Sequence, residues 1–307
     1  MTHPETVAGP LARLLRVSTM AAVVSTGTLC AQESQPSMVE LELESVVFQN
    51  TRTIRVLLPP GYTRPQNQQR RYPVFYFTDG VAAFDAGGWN VPGVVDSLWR
   101  KGVIPPCIVV GVDNGGSTKE TTNPVVDRAS EYLPYDDPTW TTTPRPQVLG
   151  TRFPQFLFDE VMPLVDSSFR TKTGAEFTGL AGASYGGAVV LYTAFVHPHR
   201  IGYLLVKSPA LQIGDGRLME DAREATGWPL ALYLGVGTEE GETPETSSIV
   251  TQNVRAMHDT LSKRPGTIRL HLWVQDGATH WYDAWRARLP GALTFLLGDR
   301  RSRWEGS

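Results

Sequence analysis

Three residues of this chain stand where acyl-transfer chemistry would need them. Ser184 lies in Gly182-Ala183-Ser184-Tyr185-Gly186-Gly187, a G-x-S-x-G pattern. A serine hydroxyl is a weak nucleophile until a base takes its proton, and that base needs a carboxylate to orient it. His280, in Gln275-Asp276-Gly277-Ala278-Thr279-His280-Trp281, is the candidate base. Glu240, in Gly237-Thr238-Glu239-Glu240-Gly241-Glu242, is the preferred carboxylate, with Glu239 next and Glu242 as the remaining alternative. Serine, then acid, then histidine is the order found when the nucleophile sits on a strand-turn-helix elbow. The other histidines fit less well. His3 lies in the leader, His258 in a helical pattern and His271 in a strand pattern, while His197 and His199 flank Pro198. That proline also spoils the one close histidine pair as metal ligands, and the chemistry requires no metal and no cofactor.

The elements that must hold these residues can be read around them. Residues 176–181 read as a strand and the apolar run 188–196 as a helix, so Ser184 sits in the turn between them. A side chain at 182 or 186 would collide with the neighbouring strand and helix. Residues 230–236 form a strand that ends at the three acids. Residues 268–274 form the last strand, followed by a loop carrying His280 and by a helical pattern over 282–289. The C-terminal ends of strands in an open α/β sheet share one rim, where ligands bind. An earlier strand, 71–78, ends at Asp79-Gly80-Val81. The backbone N–H of Tyr185 and that of Val81 or Gly80 are the candidate oxyanion donors. Tyr185, Phe84, Trp89, Trp281 and Tyr282 crowd the expected rim, and flat rings suit an aromatic acyl group such as a feruloyl or catechol ester.

Together these motifs resemble the putative-esterase family of α/β-hydrolases, which includes enterochelin, feruloyl and acetyl-xylan esterases, S-formylglutathione hydrolases and mycolyltransferases. The resemblance runs from about Leu41 to about Leu297. It rests on Leu58-Pro-Pro-Gly-Tyr62, Asp79-Gly80, Ile108-Val-Val-Gly-Val-Asp113, the Arg128-x-x-Glu131-Tyr132 pattern, the elbow, Ser208-Pro209-Ala210, the acid loop and His280. It implies an α/β-hydrolase fold, with a mostly parallel sheet between helices and antiparallel strands at its N-terminal edge. It also implies the nucleophile role for Ser184, the base role for His280 and the acid role for Glu240. Val81 stands where many enterochelin-esterase-like members carry glutamine, which leaves a backbone donor untouched but weakens any transfer of substrate contacts. The match is to the short, single-domain members. An acyltransferase of the mycolyltransferase type and a non-catalytic binding module on the same fold are the alternative readings.

Composition bounds the rest. Apolar content of 41% with 19% charged residues fits a large packed core, and a formal charge of −3 gives no basic footprint for nucleic acid. The expected partner is a small-molecule ester, with no membrane span. Residues 1–31 resemble a secretory signal: Arg13 and Arg16 precede the apolar or small run 17–29, and Ala31 ends a plausible cleavage site. The reading is therefore a periplasmic or secreted protein, or a cytoplasmic one if translation starts at Met20 or Met38. Residues 32–38 read as a linker and 39–307 as the catalytic domain. With Cys30 in the leader, Cys107 is left alone and can form no internal disulfide. Residues 114–151 show little periodicity and read as a long, lid-like loop. Pro163 predicts a kink or an early end in the helical pattern of 153–169.

Overall fold

The computed structural model describes residues 35–264, 268–300 and Trp304. The proposed leader, 1–31, lies outside them. Eight strands form one sheet in the order β1-β2-β4-β3-β5-β6-β7-β8. β1 (Ser37–Ser45) and β2 (Asn50–Leu58) pair as an antiparallel hairpin. Alternation explains β1: Leu41 and Leu43 turn into the core while Glu40, Glu42 and Glu44 stay in water. The hairpin begins at Ser37, which pairs with Leu58, so Ser37 and Met38 belong to a strand rather than to the stretch read as linker.

β2 runs antiparallel to β4, and every later neighbour pair is parallel. β3 (Val74–Phe77), β4 (Ile108–Val112), β5 (Thr178–Ala183) and β6 (Tyr203–Lys207) are buried along their whole length. Such strands lie under helices on both faces, which is why their sequences are unbroken apolar runs rather than alternating ones. β7 (Ala231–Glu239) and β8 (Arg269–Thr279) complete the sheet. The chain leaves β3 for β4 on one side and returns to β5 on the other. The carboxyl ends of β3 and β5 therefore make a topological switch point, the usual ligand crevice of an open α/β sheet.

Each face has its own core. The elbow helix Tyr185–Val196 packs Val189, Val190 and Leu191 against one face, together with Val254 and Met257 of the helix Pro244–Ser262. The helix Val91–Arg100 and the C-terminal helix Tyr282–Leu297 cover the other face, through Val95, Leu289 and Leu293. The elbow helix is apolar nearly all round because it is buried nearly all round, and truncating Leu191 to alanine would cost about 2–5 kcal/mol.

Three segments differ from the sequence reading. Pro163 ends nothing: six residues ahead of it, Phe156–Val161, adopt π-helical turns, and the helix continues through Met162–Ser168. The wider turns keep the proline ring clear of the preceding carbonyl. The stretch 114–151 contains a regular helix, Pro124–Tyr132, whose cap Asn123 accepts from the Val126 N–H at 3.3 Å. Finally, β8 runs on to Thr279, so His280 follows a strand end directly rather than standing in a long loop.

Candidate active site

Ser184 occupies a backbone conformation that L-residues avoid, with φ 57° and ψ −128°. Such a position costs on the order of 1–3 kcal/mol and persists only where its surroundings over-determine it. Here the Ser184 N–H donates to the Lys207 carbonyl at 3.1 Å, while its own carbonyl accepts from Ala188 and Ala210 at 3.0 and 3.2 Å. The flanking glycines are required by contact. A Cβ on Gly182 would lie 2.1 Å from the Gly186 carbonyl oxygen, and one on Gly186 would lie 2.6 Å from the Oγ1 of Thr78, the residue that follows β3. The turn thus lifts the hydroxyl above the strand ends at the first turn of the elbow helix.

Glu240 follows the last residue of β7, and its side chain has no exposed surface, whereas Glu239 and Glu242 are exposed. His280 follows the last residue of the neighbouring β8. The His280 Nδ1–H donates to Glu240 Oε2 at 3.1 Å. The other carboxylate oxygen accepts from the Ser208 hydroxyl at 2.6 Å and from the Gly237 N–H. Trp285 packs edge-on against the imidazole with ring centroids 5.1 Å apart. Its indole N–H donates to Ser208 Oγ at 2.9 Å.

The loop after β3 is held by charge. Asp79, itself at φ 56°, takes a two-point grip from Arg128 at 2.6 and 2.7 Å and a third bond from Asn114 at 2.7 Å. The Asp79 N–H donates to the Tyr132 hydroxyl at 3.0 Å. Glu131 pairs with Arg52 at 2.6 Å, with both side chains almost wholly buried. Arg128 and Tyr132 of the Arg128-x-x-Glu131-Tyr132 pattern thus brace this corner directly, and Glu131 holds Arg52, which donates to the Asp113 carbonyl at 2.9 Å. Val81 is the second residue of the short helix Gly80–Phe84 and Tyr185 the first of the elbow helix. First-turn N–H groups have no acceptor within their own helix.

These parts meet in a pocket of about 420 Å³ lined by Ser184, His280, Tyr185, Val81, Trp281 and Tyr282, among others. Its larger neighbours by volume lie away from these residues. No hydrogen bond joins Ser184 to His280 among the described residues. Such contacts are often long in the free protein and close when substrate binds. Trp281 is 62% exposed at the mouth. Two aromatic residues are misassigned by the sequence reading. Trp89 is fully buried, wedged edge-on between Phe77 and Trp285, and supports the site only from behind. Phe84 packs on the same core cluster and does not line the pocket. Tyr185 is less free than expected, since its hydroxyl donates to the buried Asp137 at 2.5 Å.

Trp285, Arg288 and Asp137 escaped sequence reasoning, and Ser208 was named there only as part of the Ser208-Pro209-Ala210 motif, without its contact to Glu240. Arg288 left a signal: it falls on the stripe of Ala284, Trp285, Leu289 and Ala292, where an apolar residue is expected. Cys107 lies buried just ahead of β4, and burial pushes its thiol up to about 12, which keeps it unreactive. No helix among the described residues is long and apolar enough to cross a membrane.

The fold and this rim define an α/β-hydrolase. The model of the family described as Putative esterase matches residues 45–296, and the chain belongs to that family. It is an esterase, a hydrolase of carboxylic esters. The chain is 27% identical over 246 residues to an endo-1,4-beta-xylanase/feruloyl esterase of Xylanibacter ruminicola, covering 76% of this chain and 28% of that protein. Two solved structures share the fold. An IroE-like serine hydrolase from Shewanella oneidensis superposes with a TM-score of 0.70 at 21% identity, over 85% of this chain and 80% of its own. The enterobactin esterase FES from Shigella flexneri gives 0.64 at 22% identity, over 85% and 58%.

Proposed function

We propose that the chain is a serine esterase that works through an acyl-enzyme, with Ser184 as nucleophile, His280 as general base and Glu240 as the orienting acid. The observation that carries the reading is the His280–Glu240 hydrogen bond on the rim that also bears the strained Ser184. Glu240 holds the Nδ1–H, which leaves Nε2 to take the serine proton. Ser184 Oγ then attacks the ester carbonyl. The N–H groups of Tyr185 and Val81 receive the developing oxyanion, the protonated imidazole returns its proton to the leaving alkoxide, and water repeats the sequence on the acyl-enzyme. The preferred substrates are esters with a flat aromatic acyl group of the feruloyl or catechol kind. Support comes from Trp281 and Tyr282 at the mouth and from the bifunctional xylanase/feruloyl esterase relative. Residues 1–31 act as an export signal in this reading, and N-terminal sequencing of the mature protein checks it.

Ser184→Ala should lower turnover of p-nitrophenyl esters by about 10⁴-fold or more with the fold intact. His280→Ala should match it, and the double variant should be no worse than either single, because the two act as one unit. Retained turnover in Ser184→Ala would sink the assignment.

A further inference from the structure

Arg288 is a buried charge that the proposed mechanism leaves unused. Its side chain, like that of Glu240, has no exposed surface. The guanidinium Nη2 donates to Ser208 Oγ at 3.1 Å and reaches Glu240 Oε1 at 3.5 Å. Ser208 therefore bridges the two, accepting from Arg288 and donating to the carboxylate. Oε1 is occupied by the hydroxyl, a backbone N–H and the guanidinium, and Oε2 alone is left for His280.

The other groups facing this cluster come from three strands. Lys207 of β6 is wholly buried, with its Nζ donating to the Trp285 carbonyl at 2.8 Å and lying 4.5 Å from the centre of the Trp89 ring. Burial, and then Arg288, drive its ammonium well below the usual lysine range. Tyr233 of β7 is pushed up by burial, so its phenol stays neutral. His280 follows β8. An arginine does not give up its proton in a protein, so Arg288 is the lasting cation beside Glu240.

Granting the reading of His280 as base, we propose that Arg288 is a positioning residue that acts through Glu240 and Ser208, turning the carboxylate toward the imidazole and setting the pH at which His280 loses its proton. An imidazolium beside a buried, uncompensated carboxylate keeps its proton to higher pH. Held protonated, it cannot accept from Ser184. A cation on the far oxygen offsets that pull and frees the base.

The test is the acid limb of the pH profile of kcat/KM, read beside the NMR titration of His280 in a Ser184→Ala background. Arg288→Met should move both upward by about one unit, and Arg288→Lys should bring both back toward the parent. Ser208→Ala, which removes the bridge, should move them the same way by less. It also carries the test if Arg288→Met fails to give a native circular dichroism spectrum. A limb and a titration that stay at the parent's pH while activity falls would overturn the proposal and leave Arg288 a packing residue. Because the NMR titration needs no turnover, it stays informative even if His280→Ala keeps its activity, a result that would refute the base assignment instead.

Discussion

Two buried polar clusters flank the proposed nucleophile, and they are built differently. Around the proposed oxyanion corner each buried carboxylate has its own arginine: Asp79 with Arg128, Glu131 with Arg52, and Asp113 with Arg55, which also reaches the exposed Glu40. Behind the histidine, one carboxylate, Glu240, stands before two basic side chains, Arg288 and Lys207, and hydrogen bonds through Ser208 and Trp285 complete the set. The matched pairs hold a backbone turn, where nothing needs to change charge during the reaction. The second set lies behind the proposed general base, the group that in this reading gains and loses a proton. Balanced pairs give geometry, and a buried cation that acts through a bridging hydroxyl on a titrating pair gives control of its proton.

The largest contrast should come from the carboxylate itself. Glu240→Gln should lower kcat by roughly 10²–10⁴-fold, because the imidazolium formed in the transition state loses its partner. The exposed Glu239→Gln should stay within a few-fold of the parent, and the reverse pattern would move the acid to Glu239. On the matched side, Arg128→Met leaves Asp79 nearly buried without its cation. It should cost roughly 3 kcal/mol of stability in a urea titration. It should also lower kcat by about 10–10²-fold, less than removing an oxyanion donor outright. A lower stability with unchanged kcat would separate this loop from the chemistry.

How far the sequence carried depended on what kind of force fixed each part. The elbow was legible because glycine contact and strand-helix context leave a local signature at Gly182 and Gly186. Glu240 was legible as one of three acids. The sequence preferred it without seeing the burial that separates Glu240 from the exposed Glu239 and Glu242, which arises only when β7 and β8 lie side by side. Trp89 was misread because an aromatic near a rim in sequence can point under the sheet, and here it fills the core beside Trp285. The helix Pro124–Tyr132 was missed although Asn123-Pro124 is a cap and first-turn pair, because the surrounding prolines and threonines hid it. Ser208 and Asp137 act through hydrogen bonds to residues distant in the chain, Glu240, Trp285 and Arg288 for the one and Tyr185 for the other, and spacing along the chain does not record such partners.

Smaller effects sharpen the picture. Tyr185→Phe strips the buried Asp137 of its phenol donor and should cost about 1–3 kcal/mol of stability, with kcat changed only a few-fold. Asp137 keeps its bonds from the Thr139 N–H and hydroxyl at 2.8 and 2.7 Å, which limits the loss. At the mouth, methyl ferulate should exceed an acetyl ester in kcat/KM by about tenfold or more, since each aromatic contact adds on the order of 0.5–1.5 kcal/mol and two or three are available. Trp281→Ala should shrink that preference while acetyl turnover holds. Equal values in the parent would remove the aromatic-acyl reading.

The most direct measurement of the central claim is mass spectrometry of the enzyme quenched during turnover of p-nitrophenyl acetate. An acyl-enzyme on Ser184 predicts one added acetyl group on the peptide that contains Ser184, appearing with the first turnover and fading as substrate is spent. A serine-reactive phosphonate should label the same peptide and stop turnover in step. Steady hydrolysis with no acetyl group on that peptide, or with the phosphonate on another residue, would contradict the account.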